Sequence, residues 1–185
     1  MEDKTRPHNL LTLLKRSKEI DEGRTDRTAL RLCYQVAAEK SDDPKTKNGS
    51  LLATEDDRDA LLIYGCNRLP FGFEPTEENL KVKDDIVVHA EEDVIFTAAR
   101  SGIVTRGAIL YCPWAICERC ARAVIMAGLK AVVVHKPALD RTYKKYAQTV
   151  SKGVARIKKA GIEYRVVEGP LGGCEGLMNH EVWHP

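Results

Sequence analysis

The chain lacks any apolar run of about 18 residues, so no membrane-spanning helix is expected. It lacks an excess of charge of either sign. Its 29 Lys and Arg against 27 Asp and Glu leave +2, too little to argue for a broad nucleic-acid surface. Aromatic residues make up only 6%, whereas a single-stranded polynucleotide groove wants stacking rings as well as basic charge. Nucleic acid is therefore not the expected partner. No internal repeat with a period of about 20–50 residues occurs, which excludes a solenoid. The first residues, Met1 to Pro7, are charged and hold no apolar stretch, so no secretory signal is expected. Without one, the six cysteines read as free thiols in a reducing, cytoplasmic compartment, with metal binding the use of any close pair.

What is present is an ordinary globular composition. The 185 residues, 43% apolar and 30% charged, suffice for one domain with its own core. Residues 1–24 read as a polar N-terminal extension whose apolar cluster, Leu10 to Leu14, could form a short docked helix. Helical spacing of Leu30, Cys33, Tyr34 and Ala37 predicts a helix from Asp26 to about Lys40. Two apolar runs, 50–54 and 61–66, flank an acidic turn and read as a hairpin. Residues 67–84 read as a long loop, a kind of segment often used as a lid or binding loop. Further on come a helix over 89–101, a strand over 108–112, a helix over 117–126, a strand over 130–135, a helix over 141–160 and a strand over 162–167. Such alternation implies an α/β fold whose sheet has parallel neighbours and helices on its faces. The tail from Gly169 to Pro185 reads as irregular.

Two short stretches carry chemistry. His89 and Glu91 stand two apart at a predicted helix start, and Cys117 and Cys120 form a C-x-x-C pair at another. Helix N-termini carry partial positive charge, which favours cysteine as thiolate, the form zinc binds. One His and two Cys make three ligands and leave a fourth zinc position open, as catalysis requires. Zinc lowers the pKa of a bound water from 15.7 to about 7, and a carboxylate such as Glu91 can move its proton to a reacting ring nitrogen and a leaving amine. That chemistry suits hydrolytic deamination of an aminated heterocycle. Alone, His-Ala-Glu is weak and C-x-x-C could be redox-active or half of a structural zinc site; their combination is specific.

These stretches resemble the zinc-dependent cytidine/deoxycytidylate deaminases, and among them the dCMP deaminase branch. The likeness runs over about residues 26 to 167. Asp43-Pro44-Lys45-Thr46-Lys47-Asn48-Gly49 is similar to that branch's D-P-x-T-K-V-G, and Tyr64 to Gly72 to its G-Y-N-G-F-P-R-G loop. Val88-His89-Ala90-Glu91 with Ala98 to Gly102, and Tyr111 to Lys130, are similar to its two zinc segments. The resemblance implies a three-layer, cytidine-deaminase-like α/β fold, a five-stranded mixed sheet with helices on both faces. The catalytic domain then spans 25–168 and the C-terminal tail 169–185. It further implies one catalytic Zn²⁺ per chain held by His89, Cys117 and Cys120, with Glu91 as proton shuttle. Asn67 would bond the base or sugar, and the backbone around Ala90 would meet the ring carbonyl. Family members are usually homo-oligomers, dimers or hexamers, and many dCMP deaminases respond to dCTP and dTTP. The chain departs from the pattern at Ile116, where the family writes Pro, at Asp93, a sugar-contacting position usually Asn, and at Cys66, where an aromatic is usual.

Other residues have two readings. Trp114 could wall a base pocket by stacking or fill the core. Lys45, Lys47 and Arg68 are candidates for phosphate contacts or solvated loop charges. Cys33, Cys66 and Cys112 read as packing residues, His135 as a strand-end polar residue, and the Lys144-Lys145 and Lys158-Lys159 pairs as a solvated helix face. Cys174, His180 and His184 fit no familiar zinc spacing. The function expected is zinc-dependent conversion of dCMP to dUMP and ammonia. The alternatives are deamination of a modified cytosine nucleotide, nucleoside, free base or adenosine in tRNA, or a catalytically silent nucleotide-binding subunit.

Overall fold

A computed structural model of the chain describes residues 26–55 and 60–185; the cluster at Leu10 to Leu14 and the tip of the acidic turn lie outside them. Helix α1 (Asp26–Lys40) opens on an acidic residue and closes on a basic one, matching its dipole. It buries Leu30, Cys33, Tyr34, Val36 and Ala37 along one face. Strands β1 (Gly49–Glu55) and β2 (Ala60–Cys66) form the antiparallel hairpin, with Leu52 opposite Ile63. Strand β3 (Ile109–Tyr111) pairs antiparallel with β1, while β4 (Ala131–His135) and β5 (Glu163–Val167) add in parallel. The result is a mixed five-stranded sheet in the order β2-β1-β3-β4-β5. All five residues of β4 are buried, as a central strand covered on both faces requires.

Side chains alternate across the sheet. Leu52, Leu110, Val132 and Val134 face one way, against α4 (Ala90–Arg100), α5 (Glu118–Met126) and a long helix over Lys144–Lys159. Leu51, Tyr111 and Val133 face the other way, against α1 and the tail. Helices on both faces make the three-layer α/β architecture.

Three expectations need correction. The loop over 67–84 contains helices α2 (Glu77–Lys81) and α3 (Lys83–Ile86), the first capped by Thr76 accepting from the Asn79 N–H. Both are too short to show periodicity. Strand β4 runs directly into α6 (Lys136–Asp140), started by a Pro in its first turn. The long helix, α7, therefore begins at Lys144 and not at 141. The tail is not irregular: β6 (Gly176–Met178) and β7 (Glu181–Trp183) form a hairpin. Its turn residues Asn179 and His180 have φ of 57° and 67°, the conformation of a two-residue hairpin turn. Among the described residues no helix is long and apolar enough to cross a membrane.

Candidate metal centre and active site

His89 and Cys117 are the N-caps of α4 and α5. The His89 imidazole makes no capping bond and is free to turn toward α5. The Cys117 sulfur accepts from the Cys120 N–H at 3.5 Å, which fixes both sulfurs within one helical turn. His89 Nδ1 lies 3.6 Å from Cys117 Sγ and 3.4 Å from Cys120 Sγ, and the two sulfurs are 3.4 Å apart. A tetrahedral zinc with bonds of about 2.3 Å to sulfur and about 2.0 Å to nitrogen would space its ligands by roughly 3.5–3.8 Å. The observed spacings are close to that, and the ligating atoms all lie within 4.8 Å of one another. Among the described residues this is the one His/Cys/Asp/Glu group so placed.

The electrostatics suit a cation. Contact with the Cys120 sulfur pushes the Cys117 pKa down to about 3, helped by His89 and the Cys120 backbone N–H, which favours its thiolate form. The same contact pushes Cys120 up. Burial disfavours the charged His89, but Cys117 and Glu91 outweigh it and raise its pKa. Glu91 is buried, with a carboxylate oxygen 3.8 Å from Cys120 Sγ. Burial raises its pKa above the usual carboxylate value, as desolvation does to any enclosed acid.

His89, Glu91 and Cys117 open onto a cavity of about 380 Å³, within the range of roughly 300–1,000 Å³ that encloses small ligands. Asn67 lines it, with both ends of its amide engaged: Nδ2 donates to the Thr46 carbonyl at 3.1 Å and Oδ1 accepts the Ala90 N–H at 3.0 Å. The Ala90 N–H, expected at a ring carbonyl, is thus taken by Asn67. Trp114 lines the cavity too, its indole N–H pinned to Thr142 Oγ1 at 2.8 Å and its ring edge-on to Tyr146.

Three expected substrate contacts lie elsewhere. Asp93 turns away from the cavity, accepting the Cys66 N–H at 3.0 Å and pairing with Arg68 at 3.0 Å. Arg68 is spent on that pair and on Cys66 Sγ. Lys47 Nζ caps the Ala38 carbonyl of α1 at 3.0 Å. Lys45 does reach the cavity, and so does Lys145, which the sequence placed on a solvated face. His135 is fully buried, its Nδ1 meeting the Tyr34 hydroxyl at 3.0 Å and its Nε2 the Gly169 carbonyl at 2.9 Å.

Sequence reasoning missed most of the remaining wall. Tyr146, Thr149 and Val150 come from one face of α7, Arg119 from α5, and Asn179 from the tail hairpin. The first three share helical spacing, but nothing local tells a cavity face from a solvated one. For Asn179 a signal existed: an Asn opening a two-residue step between apolar runs is hairpin chemistry.

Comparison with known proteins agrees with this geometry. A family model of the cytidine and deoxycytidylate deaminase zinc-binding region matches residues 24–136. The chain is 26% identical to mouse deoxycytidylate deaminase over 140 residues, 70% of this chain and 72% of that protein. Its fold is similar to that of the dCMP deaminase of cyanophage S-TIM5, with a TM-score of 0.57, 20% identity, and coverage of 77% of this chain and 96% of the phage protein. It is also similar to the bifunctional diaminohydroxyphosphoribosylaminopyrimidine deaminase and reductase of Thermotoga maritima, with a TM-score of 0.54 and 21% identity, covering 76% of this chain and 36% of that one.

Proposed function

Because the chain belongs to the cytidine and deoxycytidylate deaminase family, whose cofactor is zinc, we propose that it hydrolyses dCMP to dUMP and ammonia. The observation that carries this reading is the His89, Cys117 and Cys120 group with the buried Glu91 beside it on the cavity wall. These donors fit zinc: one imidazole and two sulfurs, one of them with its pKa lowered. His89, Cys117 and Cys120 would hold the ion. When bound, it supplies a water acidic enough to ionise near neutral pH.

The chain's own residues do the rest. Glu91, its pKa raised above the usual carboxylate value by burial, is suited to take up and hand on a proton. It takes a proton from the water that attacks C4, passes it to ring N3, and then carries the remaining proton of the new C4 hydroxyl to the departing amine. The C4–N bond breaks, a C4 carbonyl forms, and one water is consumed. Trp114, on the wall, orients the ring, and Asn67, which keeps one amide hydrogen beyond its bond to Thr46, meets the sugar. Four basic residues on the wall (Lys45, Lys83, Arg119 and Lys145) face three carboxylates (Asp43, Asp84 and Glu91), and Lys83 is paired with Asp43 and Asp84. Lys45 and Lys145 are the cations placed to meet a phosphate, in the stead of Lys47 and Arg68.

The test is ammonia release by the zinc-loaded protein from dCMP, CMP, dCTP, deoxycytidine, cytosine and guanine. We expect dCMP to be preferred; far better turnover of an unphosphorylated compound would overturn the substrate. Homo-oligomerisation, as dimer or hexamer, and control by dCTP and dTTP belong to the same proposal. The exposed Phe71, Phe73 and Phe96 supply apolar surface for subunit contacts, and light scattering with and without these nucleotides checks it.

A further inference from the structure

The tail lies beyond the matched region, residues 24–136, yet it completes the cavity. The Lys47 N–H donates to the Leu177 carbonyl at 3.0 Å, the His180 N–H to the Lys45 carbonyl at 2.9 Å, and the Asn179 N–H to Thr46 Oγ1 at 3.1 Å. Trp183 anchors the hairpin from the other side, buried and stacked on His135. Asn179 is therefore held by its backbone. Its side-chain amide has no protein partner among the described residues, and it lines the cavity.

Hydrogen bonds give its position relative to the metal group. Ala90, the neighbour of His89, donates to Asn67, Asn67 donates to Thr46, and Thr46 accepts from Asn179. Asn67 and Thr46 thus stand between Asn179 and the metal group along that wall. A substrate whose reacting ring sits at the metal group reaches Asn179 only with what the ring carries. Lys45, whose carbonyl accepts the His180 N–H, lines the same cavity.

We propose that Asn179 is a specificity-determining residue whose amide N–H groups, with the Lys45 ammonium, receive the phosphate of a nucleoside monophosphate. This rests on the deaminase reading above. An amide offers two donors to phosphate oxygens, whereas a carboxylate at the same place offers none and repels them.

Asn179→Asp and Asn179→Gly both tolerate positive φ, so the turn is kept. Each is compared with wild type in kcat/KM for dCMP, CMP and deoxycytidine, in zinc content, and in equilibrium binding of dUMP. The expected result is a fall of about tenfold or more in the dCMP to deoxycytidine ratio for Asn179→Asp, the scale of a hydrogen bond to a charged group. A smaller fall is expected for Asn179→Gly, with dUMP binding weakened in step. An unchanged ratio overturns the proposal. So does a change confined to dCMP against CMP, which would assign Asn179 to the sugar. Equal losses on all three substrates with a lowered Tm would make its role structural and overturn it too. Failure of the reading this rests on is separate, because the wild type would then release no ammonia from dCMP, or would prefer an unphosphorylated compound, before any variant is made.

Discussion

At the scale of the residue, the departures from the family pattern have physical explanations. Asp93 is buried and answers Arg68 and the Cys66 N–H, so its charge serves the start of the 67–84 segment. Burial raises its pKa above the ordinary carboxylate value, although Arg68 and the Cys66 N–H pull the other way. Removing one partner of such a pair would strand the other. Ile116 is fully buried in the core beneath α5, so packing takes the place of a proline's rigidity at that helix entry. Glu91 is the residue whose proposed role is most directly testable. We expect Glu91→Gln to keep zinc at about one ion per chain, since no ligand is changed, and to lower kcat by roughly a hundred- to ten-thousand-fold, the usual worth of a positioned acid–base group. Metal analysis alongside ammonia release checks both halves, and retained turnover would remove Glu91 from the mechanism.

At the scale of the element, the site depends on close backbone approaches. A Cβ added at Gly65 of β2 would lie 2.4 Å from the Val94 N and 2.7 Å from the Ala90 carbonyl oxygen. Only a glycine lets the helix that begins after His89 sit so low on the sheet. Gly153 does the same for α7: its Cβ would lie 2.2 Å from the Ile116 carbonyl oxygen and 2.8 Å from the Cys117 carbonyl carbon and oxygen. α7 thus wedges against the backbone that presents the first sulfur, while Thr149 Oγ1 accepts the Glu118 N–H at 3.2 Å. Gly153→Ala should force these elements apart, costing about 1–3 kcal/mol of stability as overpacking does. It should also weaken zinc retention against a chelator. Thermal unfolding and chelator competition measure the two, and a variant unchanged in both would show that the helix can shift freely.

At the scale of the whole molecule, the tail is tied to the sheet through a buried histidine. His135 accepts from the Tyr34 hydroxyl at Nδ1 and donates from Nε2 to Gly169 when neutral. Trp183 stacks on its ring and Tyr34 meets it edge-on. Burial lowers its pKa below the ordinary 6.5. A histidine depressed in the folded state contributes stability that is fully present above the unfolded pKa. That contribution is lost as pH falls below about 6.5 toward the folded value, because the unfolded chain then binds more protons. We expect Tm to decline on acidification below pH 6.5, and His135→Gln to be less stable at pH 7.5 but flatter in that window. Equal slopes for the two proteins would clear His135 of the effect. Because the hairpin it anchors carries Asn179, loss of the tail's docking should also open the cavity.

What the sequence determined by itself was the family and the frame. His89, Glu91, Cys117 and Cys120 could be picked out because helix starts and metal ligands follow local spacing, which a linear text preserves. The alternating elements implied a covered sheet for the same reason, since period and length are local properties. Tertiary structure alone decided which polar side chains face the cavity. Lys47, Arg68 and Asp93 looked available in the sequence, yet α1, the Cys66 N–H and each other claim them. Tyr146, Thr149 and Asn179 looked unremarked and line the wall. A side chain's partners come from segments far off in the chain, and burial, not residue type, settles whether a charge is offered to a ligand or spent on the fold. The tail hairpin was hidden in the same way. Its strands are three residues each, too short to announce themselves, and they are held by contacts with 45–47 and with His135 that only the folded chain brings together.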